Sequence, residues 1–269
     1  MPDPDGLRLI VIGPGRAGGS LARASLAAGH EIVGILSRSA TVEYGPPLTW
    51  DDPLPEADLA LITVKDEAVT EVAERLVGKM TAVPVAAHVS GFLPVTALSV
   101  LADDGVAIGG FHPLQTLPDV ERGATALRGS FVAVGGDPLA VDTLRVLAVS
   151  LGLEPFDIED SARPAYHAAA AASANFVVTS LAVAGDLLDS SNLDLAVMRP
   201  LVERVVANVF EGGAGPALTG PIARGDIETV IGHLTAAREV SESVGKQFGL
   251  LAEATAIRAG REEDLKRWK

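Results

Sequence analysis

Cysteine is absent from this chain of 269 residues, which excludes disulfides, thiol catalysis and thiolate metal sites. That absence fits a reducing compartment, so a cytoplasmic location is expected. Lysine occurs only five times, and the formal net charge of -14 is spread along the chain rather than gathered in a tail. This argues against a surface built for nucleic acid or anionic lipid and leaves a small molecule as the expected partner. The histidines at 30, 88, 112, 167 and 233 have neither HxxxH nor HExxH spacing, so no metal site is expected. Nothing matches a nucleophile elbow or a P-loop, and no internal repeat is visible. Met1 to Leu7 is acidic and proline-bearing, without the basic region and apolar run of a signal peptide, so export is not expected.

What is present is a chain of 48% hydrophobic residues, enough to bury a large core in one big domain or two modest ones. The first half alternates short β-branched runs with helical spacing, the signature of βαβ units around a parallel sheet. Strands are expected at 7–13, 31–37, near Leu48, and at 58–64, 84–89, 106–110, 130–134 and 154–158. Helices are expected at 17–28, 67–77, 94–102 and 138–151. Beyond Asp160 the spacing is helical almost throughout, with helices expected at 164–189, 194–211, 226–234, 235–248 and 250–258 and a fraying charged tail from Gly260. The expected fold is therefore α/β, a doubly wound Rossmann sheet in residues 1–160 followed by an all-helical domain in 161–269, with the boundary between Ile158 and Pro164. About eighteen residues from Ala168 to Gly185 carry no charge, the lower limit for a membrane span. Alanine dominates them and Ser173, Asn175, Thr179 and Ser180 interrupt them, so they are expected to form a buried core helix of the second domain, with no membrane partner.

Gly13-Pro14-Gly15-Arg16-Ala17-Gly18 fits G-x-G-x-x-G and lies where the first strand meets the first helix. Gly13 would allow the tight turn, Gly15 the approach of the backbone to a pyrophosphate and Gly18 close helix-sheet packing. Phosphates would rest on the helix N-terminus at Arg16 and Ala17, where unpaired amides face them. The second strand of NAD-binding domains ends in an acidic residue that holds the ribose, whereas this one ends in Ser37-Arg38-Ser39. A guanidinium flanked by hydroxyls suits a 2'-phosphate, so NADP(H) is the expected cofactor.

Other candidates follow later strands. Thr63 and Val64 end a strand on the carboxyl edge and are expected to touch the nicotinamide half of the cofactor through their backbone. Asp66 reads as a helix cap or a functional carboxylate. In His88-Val89-Ser90-Gly91, Ser90 could bond a substrate carboxylate or the carboxamide of the cofactor, and Gly91 could admit the nicotinamide, although a plain turn is equally consistent. In Phe111-His112-Pro113-Leu114-Gln115-Thr116, His112 and Gln115 are candidate substrate contacts. His167 and Asn175, eight residues apart, fall on about one helical face and could bind and protonate a carbonyl oxygen as hydride arrives, against a purely structural histidine. In Ala217–Asp226, Arg224 could hold a carboxylate, or face solvent, while Asp226 is placed to cap the next helix.

Taken together, the fingerprint, HVSG, FHPLQT, YHAAAAASAN and ALTGPIARGD resemble the bacterial Rossmann-like oxidoreductases with a C-terminal domain of unknown function. These are relatives of pyrroline-5-carboxylate reductase and of the β-hydroxyacid and 6-phosphogluconate dehydrogenases. The resemblance implies an NADP-dependent enzyme, a homodimer packed through its helical domains, and an active site between domains. It implies reduction of a small oxo acid or related imine, with ketopantoate as a particular alternative and a non-catalytic NADPH sensor as another. The chain departs from the β-hydroxyacid dehydrogenases in having no lysine between Lys79 and Lys246. His167 is the nearest ionisable substitute for their catalytic lysine.

Overall fold

The computed structural model describes residues 6–37 and 43–268. The chain divides into two compact units, Met1–Ala171 and Ala172–Lys269. The first holds an eight-stranded sheet in the order β3-β2-β1-β4-β5-β6-β7-β8. The strands are β1 (Arg8–Ile12), β2 (Glu31–Leu36), β3 (Pro47–Leu48), β4 (Leu59–Ile62), β5 (Val85–His88), β6 (Ala107–Pro113), β7 (Phe131–Gly136) and β8 (Glu154–Asp157). Central strands such as β4, and β1 after Arg8, are apolar along their length because helices cover both faces, and alternation sends their side chains into two cores. Leu9, Val11, Leu59 and Leu61 join α1 (Arg16–Ala27) and α5 (Pro138–Ser150) on one side. On the other, Ile10, Ile12, Ala60 and Ile62 join α2 (Val69–Leu76) and α3 (Ser99–Ala102).

One pair breaks the parallel rule expected from the sequence: β6 and β7 are antiparallel, with Gly110 opposite Gly135 and His112 opposite Ala133. The chain between them forms α4 (Val120–Ala126), which the sequence pattern did not suggest. Asp119 caps it by accepting from Arg122 N at 2.8 Å, and Glu121 pairs with Arg23 of α1 at 3.2 Å. Because α4 docks beside α1 instead of crossing the sheet, the chain re-enters at the same edge and must run backwards. β6 also extends through Pro113, so His112 belongs to the strand rather than to the loop after it.

α6 (Arg163–Asp189) begins in the first unit and ends in the second, so the division falls inside a helix, beyond the 158–164 segment. The second unit is helical, with α7 (Arg199–Gly212), α8 (Ala214–Ala217), α9 (Pro221–Arg224), α10 (Ile227–Val240) and α11 (Glu242–Arg258). The last two replace the three helices expected over 226–258. Their one break is at Ser241, whose hydroxyl accepts from Val244 N at 3.1 Å, while Gly249 passes inside α11. The uncharged run is a single helix as expected but is not buried within one chain: Phe176 and Val178 of α6 are mostly exposed, as are Leu201 and Phe210 of α7. By length and composition alone, the segment Asp160–Asp189 could cross a membrane.

The charged tail does not fray. A 3-10 turn at Glu262–Arg267 delivers Trp268 onto Val230, Leu234, Ala252 and Ala256, and the indole is 8% exposed. Burial of that ring outweighs the charges preceding it. Trp268→Ala should therefore destabilise the second unit by about 3 kcal/mol, read as a lower urea midpoint; an unchanged midpoint would show that the tail contributes no packing.

Candidate active site at the carboxyl edge of the sheet

The turn after β1 is built by contacts that only glycine allows. Gly13 has φ of 91° and its amide donates to Leu36 O at 2.9 Å. A Cβ on Gly18 would collide with Thr63 Oγ1 and come within 2.5 Å of the Gly13 carbonyl. Thr63 Oγ1 in turn lies 2.6 Å from that carbonyl and 3.0 Å from that of Ile12. Thr63 thus spends its side chain on locking the turn, and Val64 packs against Gly13. Gly15, by contrast, has open space where its Cβ would be. It starts α1 with no side-chain cap and no acidic residue in the first turn, so the amides at Arg16 and Ala17 remain suited to an anion. A dinucleotide pyrophosphate fits this cradle. Ser37 follows β2, and Arg38 and Ser39 lie outside the described residues.

On the same edge, the turn after β5 is held by side chains. Ser90 Oγ accepts from the amides of Phe92 and Leu93 at 3.1 and 3.0 Å and donates to Asp66 at 2.8 Å. Its hydroxyl is fully engaged, and Asp66 serves that turn rather than capping a helix. Beneath lies Arg163, wholly buried. Its Nε donates to Asp160 at 3.0 Å and its Nη1 to the Ser90 carbonyl at 3.4 Å. Asp160 also accepts from Val95 N at 2.9 Å. A Cβ on Gly110 would sit 2.5 Å from Arg163 Nη2, so the glycines of β6 and β7 make room for the guanidinium.

Above this base stand three rings. His112 Nδ1 and Tyr166 Oη are 2.8 Å apart, and the His112 and His167 rings lie 5.5 Å apart at 72°. Gly91 separates the two imidazoles: a Cβ there would fall 2.6 Å from His167 Nδ1 and 2.8 Å from His112 Nε2. Phe92 borders His167 and Phe156 borders Tyr166. Burial, then the neighbouring His167 and Arg163, lowers the His112 pKa to about 4, and burial raises that of Tyr166 to about 12. His88 closes β5 with no exposed surface. Its Nε2 lies 3.2 Å from the Pro94 carbonyl, and burial, then Arg163, lowers its pKa to about 4.

Of the other sequence candidates, Gln115 is tied to Ser130 at 2.9 Å and Thr116 at 2.8 Å, bracing the loop from β6 to α4. Asn175 is exposed on the part of α6 that belongs to the second unit. Arg224, also in the second unit, clamps Asp226 at 2.7 Å, and Asp226 makes no side-chain cap because that carboxylate is so engaged.

Residues 130–255 match the family model of a domain of unknown function, DUF2520. No curated protein sequence matches the chain. Among solved structures, a protein from Bacteroides fragilis provisionally named an NADP oxidoreductase is 25% identical, with a TM-score of 0.78 over 94% of this chain and 99% of its own. The imine reductase of Streptomyces aurantiacus is 15% identical, with a TM-score of 0.67 over 97% and 98%. Pyrroline carboxylate reductase of Plasmodium falciparum, solved with NADP bound, is 13% identical, with a TM-score of 0.62 over 94% and 99%. The fold is that of the Rossmann-like reductases.

Within this reductase fold, the DUF2520 match begins at β7, so it takes in the last two strands of the sheet as well as the helices. Sequence reasoning missed Arg163, Asp160 and Tyr166. A signal was present in Asp160-x-x-Arg163, an acid-base pair one turn apart where β8 gives way to a helix, but nothing in the sequence showed that the arginine would be buried.

The two depressed histidines set an acid limit on stability. Between about pH 6.5 and pH 4 the unfolded chain binds protons that folded His88 and His112 refuse, so stability rises with pH across that window and is fully present above it. His88 alone is expected to contribute about 3 kcal/mol of this dependence. Urea unfolding at pH 7.5 and pH 4.5 should show a smaller difference for His88→Asn than for the native chain; equal differences would refute the assignment.

Proposed function

We propose that the chain is an NADPH-dependent reductase of a small oxo acid or related imine, with His167 supplying the proton. The observation that carries this is the pairing, on one edge of one sheet, of an uncapped glycine turn suited to a pyrophosphate with the cluster of His167 and the hydrogen-bonded His112 and Tyr166. The resemblance to NADP oxidoreductase and imine reductase folds supports the same reading. NADPH held there would supply the hydride. The residues present do the rest: the Gly13–Gly18 turn seats the phosphates, Arg38, two positions along the sequence from Leu36, favours the 2'-phosphate, and His167 faces the group that receives hydride.

NADPH should bind at least about tenfold more tightly than NADH, a difference of about 1.4 kcal/mol, and Arg38→Ala should remove most of that preference. Equal dissociation constants would defeat the assignment. NADPH oxidation against oxo acids, ketopantoate included, and cyclic imines tests turnover. His167→Ala should lower kcat by at least about a hundredfold without changing NADPH affinity; tight NADPH binding with no turnover of any substrate would favour a sensor.

The exposed apolar residues of α6 and α7 support a second proposal, that the helical unit packs against the same unit of another copy. Sedimentation at micromolar concentration should give a dimer, and Phe210→Glu with Phe176→Glu should give a monomer. A native monomer, or a native chain that partitions into lipid vesicles, would overturn it.

A further inference from the structure

We propose that Tyr166 and His112 form a proton relay that feeds His167 during reduction, an inference that rests on the reductase reading above. Its geometry is a cluster of three rings in which the His112 ring lies 5.5 Å from those of both Tyr166 and His167. Tyr166 Oη meets His112 Nδ1 at 2.8 Å, and the opposite nitrogen of that imidazole, Nε2, faces the same point beside Gly91 as His167 Nδ1. A Cβ built on Gly91 would lie 2.8 Å from one nitrogen and 2.6 Å from the other, which places the two no more than about 5.4 Å apart; they are not bonded directly, and the relay closes through a ring rotation or one water bridging them beside Gly91. His167 Nδ1 is buried and has no hydrogen-bond partner among the described residues. An orphaned buried nitrogen is costly unless it has work to do.

The surroundings keep both partners of this hydrogen bond uncharged. His112 is neutral at neutral pH: burial, then His167 and Arg163 of α6 and, least, His88 of β5 oppose its protonation, and only Asp66 favours it. Tyr166 keeps its proton, with burial outweighing the nearby Arg163. In the proposed relay the phenol is the donor and His112 Nδ1 the acceptor, the tautomer that carries the imidazole proton of His112 on Nε2.

The chemistry needs such a supply. A neutral imidazole can give up its Nε2 proton without becoming an imidazolate only if its Nδ1 gains one in the same step. As hydride reaches the carbonyl or imine carbon, His167 Nε2 gives its proton to the oxygen or nitrogen, and His167 Nδ1 receives the proton of His112 Nε2. His112 Nδ1 takes that of Tyr166, and water reprotonates the half-buried phenol. The substrate gains one hydride and one proton, water loses the proton, and the starting tautomers return by exchange with water after product leaves. Without the relay, only the imidazolium form of His167 could donate. Gly91 is the residue that permits the two imidazoles to approach.

Two measurements test this. Nitrogen-15 NMR of histidine should show His112 as the Nε2-protonated tautomer in the native chain, with that preference lost in Tyr166→Phe. A native His112 protonated on Nδ1 would reverse the hydrogen bond and end the proposal. With a substrate from the panel, native kcat should stay level from pH 7 to about pH 9, whereas in Tyr166→Phe and His112→Asn it should fall by about tenfold or more across that range. A merely structural role would lower kcat by the same factor at every pH. Parallel profiles together with a strong loss in His167→Ala would overturn the relay and leave the reductase reading intact. Failure of every substrate would overturn the reductase reading and the relay with it, whatever the NMR shows.

Discussion

Arg163 holds the first unit's functional edge together. Its guanidinium is wholly buried, and it binds at once the Ser90 carbonyl of the turn after β5 and the Asp160 carboxylate before α6. Asp160 in turn holds the amide of Val95. A buried charge left without its partners is costly, so the first turn of α6 is fixed against the sheet with little freedom. Tyr166 and His167 follow within four residues of Arg163 and inherit that placement. The glycines at 110 and 135 are the space the arginine occupies, which ties the composition of β6 and β7 to the position of a helix far along the chain.

The same cation shapes the electrostatics above it. A positive group in a poorly hydrated base disfavours any further positive charge nearby, which adds to burial in keeping His88 and His112 neutral. Neutral imidazoles can both donate and accept, so the edge becomes a hydrogen-bonding surface rather than a cationic one. Ser90, by bracing its turn and binding Asp66, supplies rigidity to this surface instead of chemistry.

The second unit answers to a different constraint. Its own cores are small, one around Val230, Leu234 and Trp268 and another around Val183, Ala237 and Val244. They leave the apolar sides of α6 and α7 in solvent within one chain. Alanine gives α6 high helix propensity and a narrow profile, suited to close approach by a neighbouring helix.

The sequence by itself determined the βαβ order, the glycine turn at Gly13–Gly18, the long alanine-rich helix and the candidacy of His112 and His167, because these rest on local periodicity and on short motifs with one physical reading. It did not determine the antiparallel β7, since direction depends on where α4 docks and that contact lies almost a hundred residues away from its partner on α1. Nor did it determine which polar residues serve chemistry and which serve architecture. Ser90, Gln115 and Arg224 all looked available, yet each is engaged by a nearby group whose position follows only from the folded turn. Arg163, whose type predicts exposure, is buried because two glycines on neighbouring strands and one carboxylate converge on it. Only tertiary structure makes that convergence, since burial and partnership are properties of neighbours brought together from distant parts of the chain.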